Sequence, residues 1–166
     1  MSERVLSEPV LSEPVLRGGS ESDRQIILQK HQKYLVANAE FDWVTLHDQL
    51  WSASPDSVFF NLNGHTYRGR DQWVRLWKFY KEQLTSGYWT PYDIGGVVTG
   101  DMATVWCHRK TKVAWVGSTP RPDGKAHEDR SMISRSTMVF QKEAGDWRVV
   151  HVHFSEHTDT PRPGGI

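Results

Sequence analysis

Three stretches, MATVWCHRKTKVAWV (Met102–Val116), SMISRSTMVFQK (Ser131–Lys142) and WRVVHVHFS (Trp147–Ser155), decide the fold class. Each is rich in β-branched and aromatic residues and alternates with a period of two, the pattern of a strand with unlike faces. Gly145-Asp146 turns the chain between the last two. Gly100-Asp101 precedes the first, and Tyr88–Thr99 before it reads as a further strand. Pro91 and Gly95-Gly96 predict a bend or bulge within that strand. Ser118–Asp129, with Pro120, Pro122 and Asp123-Gly124, reads as a loop. The later half is thus expected to be an antiparallel meander of four strands.

Upstream the period changes from two to that of a helix. Ser22 and Gln25 have capping-box spacing, and Ile27, His31, Tyr34 and Asn38 then recur on one helical face. Asp42 is placed to cap a second, shorter helix with Trp43, Leu46, His47, Leu50 and Trp51 as its apolar stripe. His47 reads as a packed core histidine. Val58-Phe59-Phe60 and His65–Arg68 flank Asn63-Gly64, a hairpin signal because a type I′ turn needs positive φ at both central residues. A third helix is predicted from about Arg70 to Leu84, with Trp73, Leu76, Trp77 and Tyr80 on one face and Gly87 as its stop. Early helices and late strands imply an α+β fold with the helices on one face of the sheet.

Residues 2–16 read SERVL-SEPVL-SEPVL, a five-residue unit in three copies. Pro9 and Pro14 forbid a regular helix there, and the period suits neither helix nor strand. Residues 1–21 are therefore expected to be a disordered leader, 22–157 one domain, and 158–166 a flexible tail. With 20 Lys+Arg against 20 Asp+Glu, the formal charge is zero, which offers no electrostatic case for nucleic acid or an anionic membrane. No apolar run has the length of a membrane span, and the first residues lack the apolar core of a signal peptide. The single cysteine, Cys107, excludes an internal disulfide and fits the cytoplasm.

The element order, Gly69-Arg70-Asp71 opening the third helix, Gly100-Asp101, and Trp147, Val150, His151 and His153 in the last strand together resemble the SnoaL-like, or nuclear transport factor 2-like, superfamily. Within it, the chain is most similar to the association-domain branch of calcium/calmodulin-dependent protein kinase II. The resemblance covers about residues 22–160. It implies a cone-shaped α+β barrel, with three N-terminal helices packed on a strongly curved antiparallel sheet. It also implies a homodimer, or a larger oligomer, built on the outer sheet face. Members include ketosteroid isomerases, polyketide cyclases and dehydratases as well as assembly modules, so fold alone does not assign function. The association-domain branch has an arginine-lined pocket. Arg109 matches one arginine, while Met138 and Phe154 stand where two others would be.

With Arg109 facing the cone, alternation puts Val105 and Cys107 beside it. Ser134, Ser136, Met138 and Phe140, then Val150, Val152 and Phe154, would line the neighbouring strands. The opposite face would carry Trp106, His108, Arg135, Thr137, Val139, Trp147, His151 and His153, a mixture suited to an interface. His31, Tyr34 and Arg109 are the candidate catalytic residues: imidazole shuttles protons near neutral pH, phenol polarises a carbonyl, and guanidinium holds an anion. Asn38, Val105, Cys107, Ser134, Ser136, Met138 and Phe154 are the candidate ligand-binding residues. The alternative for His31 and Tyr34 is a core pair satisfied by backbone partners. Asp93 and Glu40 are the weaker candidates for a general base.

His151, His153, Glu156 and His157 include metal-ligand types, but no third ligand has convincing spacing, so they read better as interface groups. No metal and no cofactor is expected, since no phosphate-binding glycine loop occurs either. Two functional readings follow. One is a small-molecule binder, extending to a cofactor-independent isomerase, dehydratase or cyclase acting on an apolar carboxylate or carbonyl compound, with the 117–130 loop as a lid. The other is a non-catalytic homo-oligomeric assembly module.

Overall fold

The computed structural model of the chain describes residues 12–118 and 129–157. Most of the expected lid loop, the first two repeat copies and the expected tail lie outside them. Along the chain the elements are β1 (Val15–Gly18), α1 (Glu21–Ala39), α2 (Trp43–Thr45), β2 (Val58–Phe60), β3 (Thr66–Arg68), α3 (Gly69–Gln83), β4 (Leu84–Thr99), β5 (Met102–Trp115), β6 (Asp129–Glu143) and β7 (Asp146–Glu156). The strands form one curved sheet in the order β1-β4-β5-β6-β7-β2-β3, with the helices packed on it. The α+β class stands as expected. Two corrections apply to the details. The sheet is mixed rather than antiparallel, because β1 runs parallel to β4 and β2 parallel to β7. Nor is it closed into a barrel: β1 and β3 remain as edges.

The expected disordered leader contains β1, formed by the third repeat copy and the residues after it. Pro14 precedes the strand at a sheet edge, where a missing N–H is tolerated. Gly18 pins its register. Its φ is +72°, and a Cβ there would lie 2.4 Å from the Val98 carbonyl oxygen. Helix α1 is capped two residues before the predicted position: Ser20 Oγ accepts from the Asp23 N–H at 3.0 Å. Asp23 also fastens the helix to the sheet, its Oδ1 accepting from Lys142 Nζ at 2.8 Å and from Trp147 Nε1 at 3.1 Å.

Asp42 caps α2 as expected, accepting from Thr45 N. The helix then widens into a π turn at Leu46–Leu50, closed by Trp51 N–H donating to the Leu46 carbonyl at 2.8 Å. The extra residue per turn buries Leu46, Leu50 and Trp51 together and moves His47 out of the core, where it meets Asp48 instead. The carbonyls of His47, Asp48 and Gln49 accept from Arg70, Arg148 and Lys30. These cations occupy the negative end of the turn. Helix α3 passes directly into β4 at Leu84, so Gly87 is not its stop.

Strand pairing explains which side chains face the helices. In β5 and β6, Val105, Cys107, Arg109, Ser134, Ser136, Met138 and Phe140 are all buried, as alternation predicts. A bulge in β7 interrupts the pattern. Val139 pairs with His151 but Phe140 with Val149, leaving Val150 as the extra residue. Beyond it the faces invert. Val149 and Trp147 are therefore buried, whereas Val150 is only partly so, which corrects the expected placing of Val150 inward and Trp147 outward. A second shift, between Tyr92 and Gly95 in β4, lies where a bend was predicted. The core is aromatic: Trp73 stacks on Phe59 with ring centroids 5.1 Å apart and also meets Trp51, Trp77 and Tyr67. Among the described residues no helix is long and apolar enough to cross a membrane.

Candidate functional site

A cavity of about 490 Å³ opens between α3, the β2–β3 hairpin and the inner sheet face. Arg109 is its floor. The residue is 0% exposed, yet Nε and Nη1 have no hydrogen-bond partner among the described residues. No described carboxylate pairs with it. Its guanidinium carbon lies 4.8 Å from the Trp89 ring centroid and 4.4 Å from that of Phe154. Both rings offset part of the desolvation cost through their quadrupoles. The rest of that cost remains: burial lowers the guanidinium pKa from its ordinary value to about 10. The side chain stays charged at neutral pH, and among the described residues its Nε and Nη1 donors stay unused.

Beside it, Ser134 and Thr111 carry hydroxyls 3.3 Å apart, both buried and both lining the cavity. Trp77 and Tyr80 from α3, Trp89 from β4, and Val113 and Trp115 from β5 supply apolar walls. Asn61, Leu62 and Asn63 of the hairpin form the rim. None of the described lining residues is an aspartate, glutamate or histidine.

Of the candidate residues, Arg109, Ser134 and Phe154 line this cavity. His31, Tyr34, Asn38, Val105, Cys107, Ser136 and Met138 are buried but do not line it. They sit toward the other end of β5 and β6, where α1 packs against the sheet. Cys107 Sγ lies 3.8 Å from His31 Nε2 and 3.3 Å from Ser136 Oγ. Burial raises the thiol pKa. Burial, with the nearby Arg109 charge, lowers His31 to about 4. Both are therefore neutral at pH 7, a polar contact rather than an activated thiolate–imidazolium pair. The Tyr34 hydroxyl accepts from Trp51 Nε1 at 3.2 Å, and burial raises its pKa to about 12. Among the described residues, neither amide atom of Asn38 has a partner.

The lining residues that sequence reasoning missed include Trp77, Tyr80, Trp89, Thr111, Val113, Trp115 and the hairpin asparagines. For Thr111, Val113 and Trp115 a signal exists: the alternation through Arg109 continues in that direction. Trp77 and Tyr80 look in sequence like any apolar stripe.

Two groups predict a staged acid response. His31 has its pKa depressed from 6.5 to about 4, so its native state takes up the proton less readily than the unfolded chain. The associated stability, on the order of 3 kcal/mol, is present above pH 6.5 and is lost as pH falls to about 4. Asp23 is held near 2 by Lys142, Ser20 and Trp147. Its contribution is present above about pH 3.8 and is lost toward pH 2. Urea titrations across pH should show two declines. His31→Leu should flatten the first and Asp23→Asn the second. A wild type with level stability from pH 6.5 to 4 would refute the His31 assignment.

A family model described as the SnoaL-like domain matches residues 27–159. The chain belongs to this SnoaL-like family. No curated protein matches it. Solved structures share the fold. A nuclear transport factor 2-like superfamily protein from Salmonella enterica is 22% identical, with TM-score 0.64, covering 89% of this chain and 100% of its own. A candidate dehydratase of the nuclear transport factor 2-like family from Streptomyces avermitilis is 16% identical, with TM-score 0.66, covering 84% and 99%. The association domain of CaMKII from C. elegans is 22% identical, with TM-score 0.57, covering 81% and 96%.

Proposed function

We propose that this SnoaL-like chain binds a small organic molecule in the Arg109 cavity, an apolar compound whose carboxylate or polarised carbonyl oxygen meets the guanidinium. The buried arginine with unpartnered donors carries the reading. A guanidinium kept charged in an aromatic cavity is costly unless an anion completes it. Ser134 and Thr111 add neutral hydroxyls on the same floor. The described lining residues offer no general base. Binding is therefore better supported than acid–base turnover, although a fold neighbour carries a dehydratase name. For isomerisation or dehydration, His31 or Tyr34 would have to reach the ligand from behind Arg109. The lone buried thiol of Cys107 suits a cytoplasmic setting.

A second reading concerns the outer sheet face. Trp106 is 44% exposed there, and Phe60, 39% exposed, meets His151 and His153 edge-on at 5.0 and 5.4 Å. Exposed aromatics on a sheet face suit a homodimer contact. Native mass spectrometry tests both readings. The expected result is a dimer that releases an organic acid or carbonyl compound on denaturation. A monomer at micromolar concentration would remove the assembly reading. A wild type that retains no adduct when incubated with apolar carboxylates would remove the binding one.

A further inference from the structure

The cavity has a second polar point, less buried than Arg109. At the rim, Asn61 Nδ2 donates to the Tyr80 hydroxyl oxygen at 3.2 Å. Because that oxygen accepts, the phenol proton has to be donated elsewhere. Among the described residues no acceptor for it is found, nor a donor for Asn61 Oδ1. The pair is held rather than adrift. Asn61 N–H donates to the His65 carbonyl at 3.2 Å, and the Asn61 carbonyl accepts from Gly64 N–H at 3.0 Å. The Tyr80 ring packs edge-on against Phe41 and Trp77. Asn63 donates to the Tyr67 hydroxyl at 2.8 Å, and its amide also lies beside the Tyr80 hydroxyl oxygen. Burial raises the Tyr80 phenol to about 12, so it remains a donor at any ordinary pH.

We infer that Asn61 and Tyr80 form a neutral specificity subsite, and that the ligand is an apolar monoacid bearing a hydroxyl or carbonyl oxygen at the end remote from its acid group. This rests on the reading of Arg109 as the acid-binding floor. One cation among the described lining residues matches one negative charge, whereas a dianion would bury an unmatched one. Aromatic and aliphatic walls between floor and rim fit an apolar body. At the rim, one free donor and one free acceptor match a hydroxyl, and the donor alone matches a carbonyl.

The test uses matched acids: 2-naphthoate with 6-hydroxy-2-naphthoate, and decanoate with ω-hydroxydecanoate. Binding is read by tryptophan fluorescence, since Trp77, Trp89 and Trp115 line the cavity. In the wild type, at least one hydroxylated acid is expected to bind about three- to tenfold more tightly than its parent. Tyr80→Phe should erase that preference, because it removes the hydroxyl and keeps the ring packing. Equal affinities within both pairs, or a preference that survives in Tyr80→Phe, would overturn the subsite while leaving the Arg109 reading intact. If none of the acids binds, or Arg109→Met binds them as the wild type does, both readings fall together.

Discussion

Replacing Arg109 with methionine is expected to stabilise the protein and to abolish binding of anionic ligands. The two effects share one cause. The guanidinium is fully buried without a hydrogen-bonded anion among the described residues, and burial pulls its pKa down. Desolvating an ion costs several kcal/mol, and each ring beneath it returns about 2 kcal/mol. The residual is a net cost, so methionine of similar length should raise unfolding stability by about 1–3 kcal/mol in a urea titration. With an acid bound, the sign reverses. Removing the cation leaves a buried carboxylate unpaired, at about 3–5 kcal/mol, so affinity should fall at least about a hundredfold. A methionine variant less stable than the wild type would mean that Arg109 has a partner in the folded chain. The observation supporting the proposed function would then be lost.

Trp73→Ala is expected to be among the most damaging single substitutions. Trp73 is 0% exposed and lies at the centre of an aromatic cluster. Its ring stacks on Phe59 at 5.1 Å and contacts Tyr67, Trp77 and Trp51 at 5.2, 5.7 and 6.1 Å. Truncating a buried tryptophan costs about 3–5 kcal/mol, a large fraction of a typical domain's total. The cavity should suffer too. Trp77 and Phe154, both neighbours of Trp73, form part of its wall, and Phe154 also lies under Arg109. Trp73→Phe should keep contact with Phe59 and lose less. A loss below about 1 kcal/mol for the alanine variant would show that the cluster closes around the gap.

Much of the fold was legible because it follows from local rules. The period-two stretches became β5, β6 and β7, and the Asn63-Gly64 signal became the β2–β3 turn, although not of type I′, since Gly64 has positive φ and Asn63 does not. Asp42 caps where its spacing predicts. What failed locally failed for identifiable reasons. Ser20 caps α1 instead of Ser22, because Ser20 lets Asp23 meet Lys142 and Trp147, partners more than a hundred residues away. The inward set of β7 switched from Val150 to Val149 at a bulge, and one extra residue inverts every side chain beyond it.

The site divides in the same way. That Arg109 shares a face with Ser134, Cys107 and Phe154 follows from alternation and pairing, which depend on sequence spacing. Whether that face is filled or open depends on what packs over it. At one end α1 delivers His31, Tyr34 and Leu35 onto the sheet and leaves no room. At the other, α3 and the hairpin stand off and leave the cavity. The sequence by itself determined the α+β class, the order of the late strands and the buried face that carries Arg109. Only the tertiary structure decided which end of that face is open, and that Trp89 and Phe154 lie against the guanidinium while no described carboxylate does. Periodicity assigns a side chain to a face, but volume and charge pairing depend on elements brought together from far along the chain.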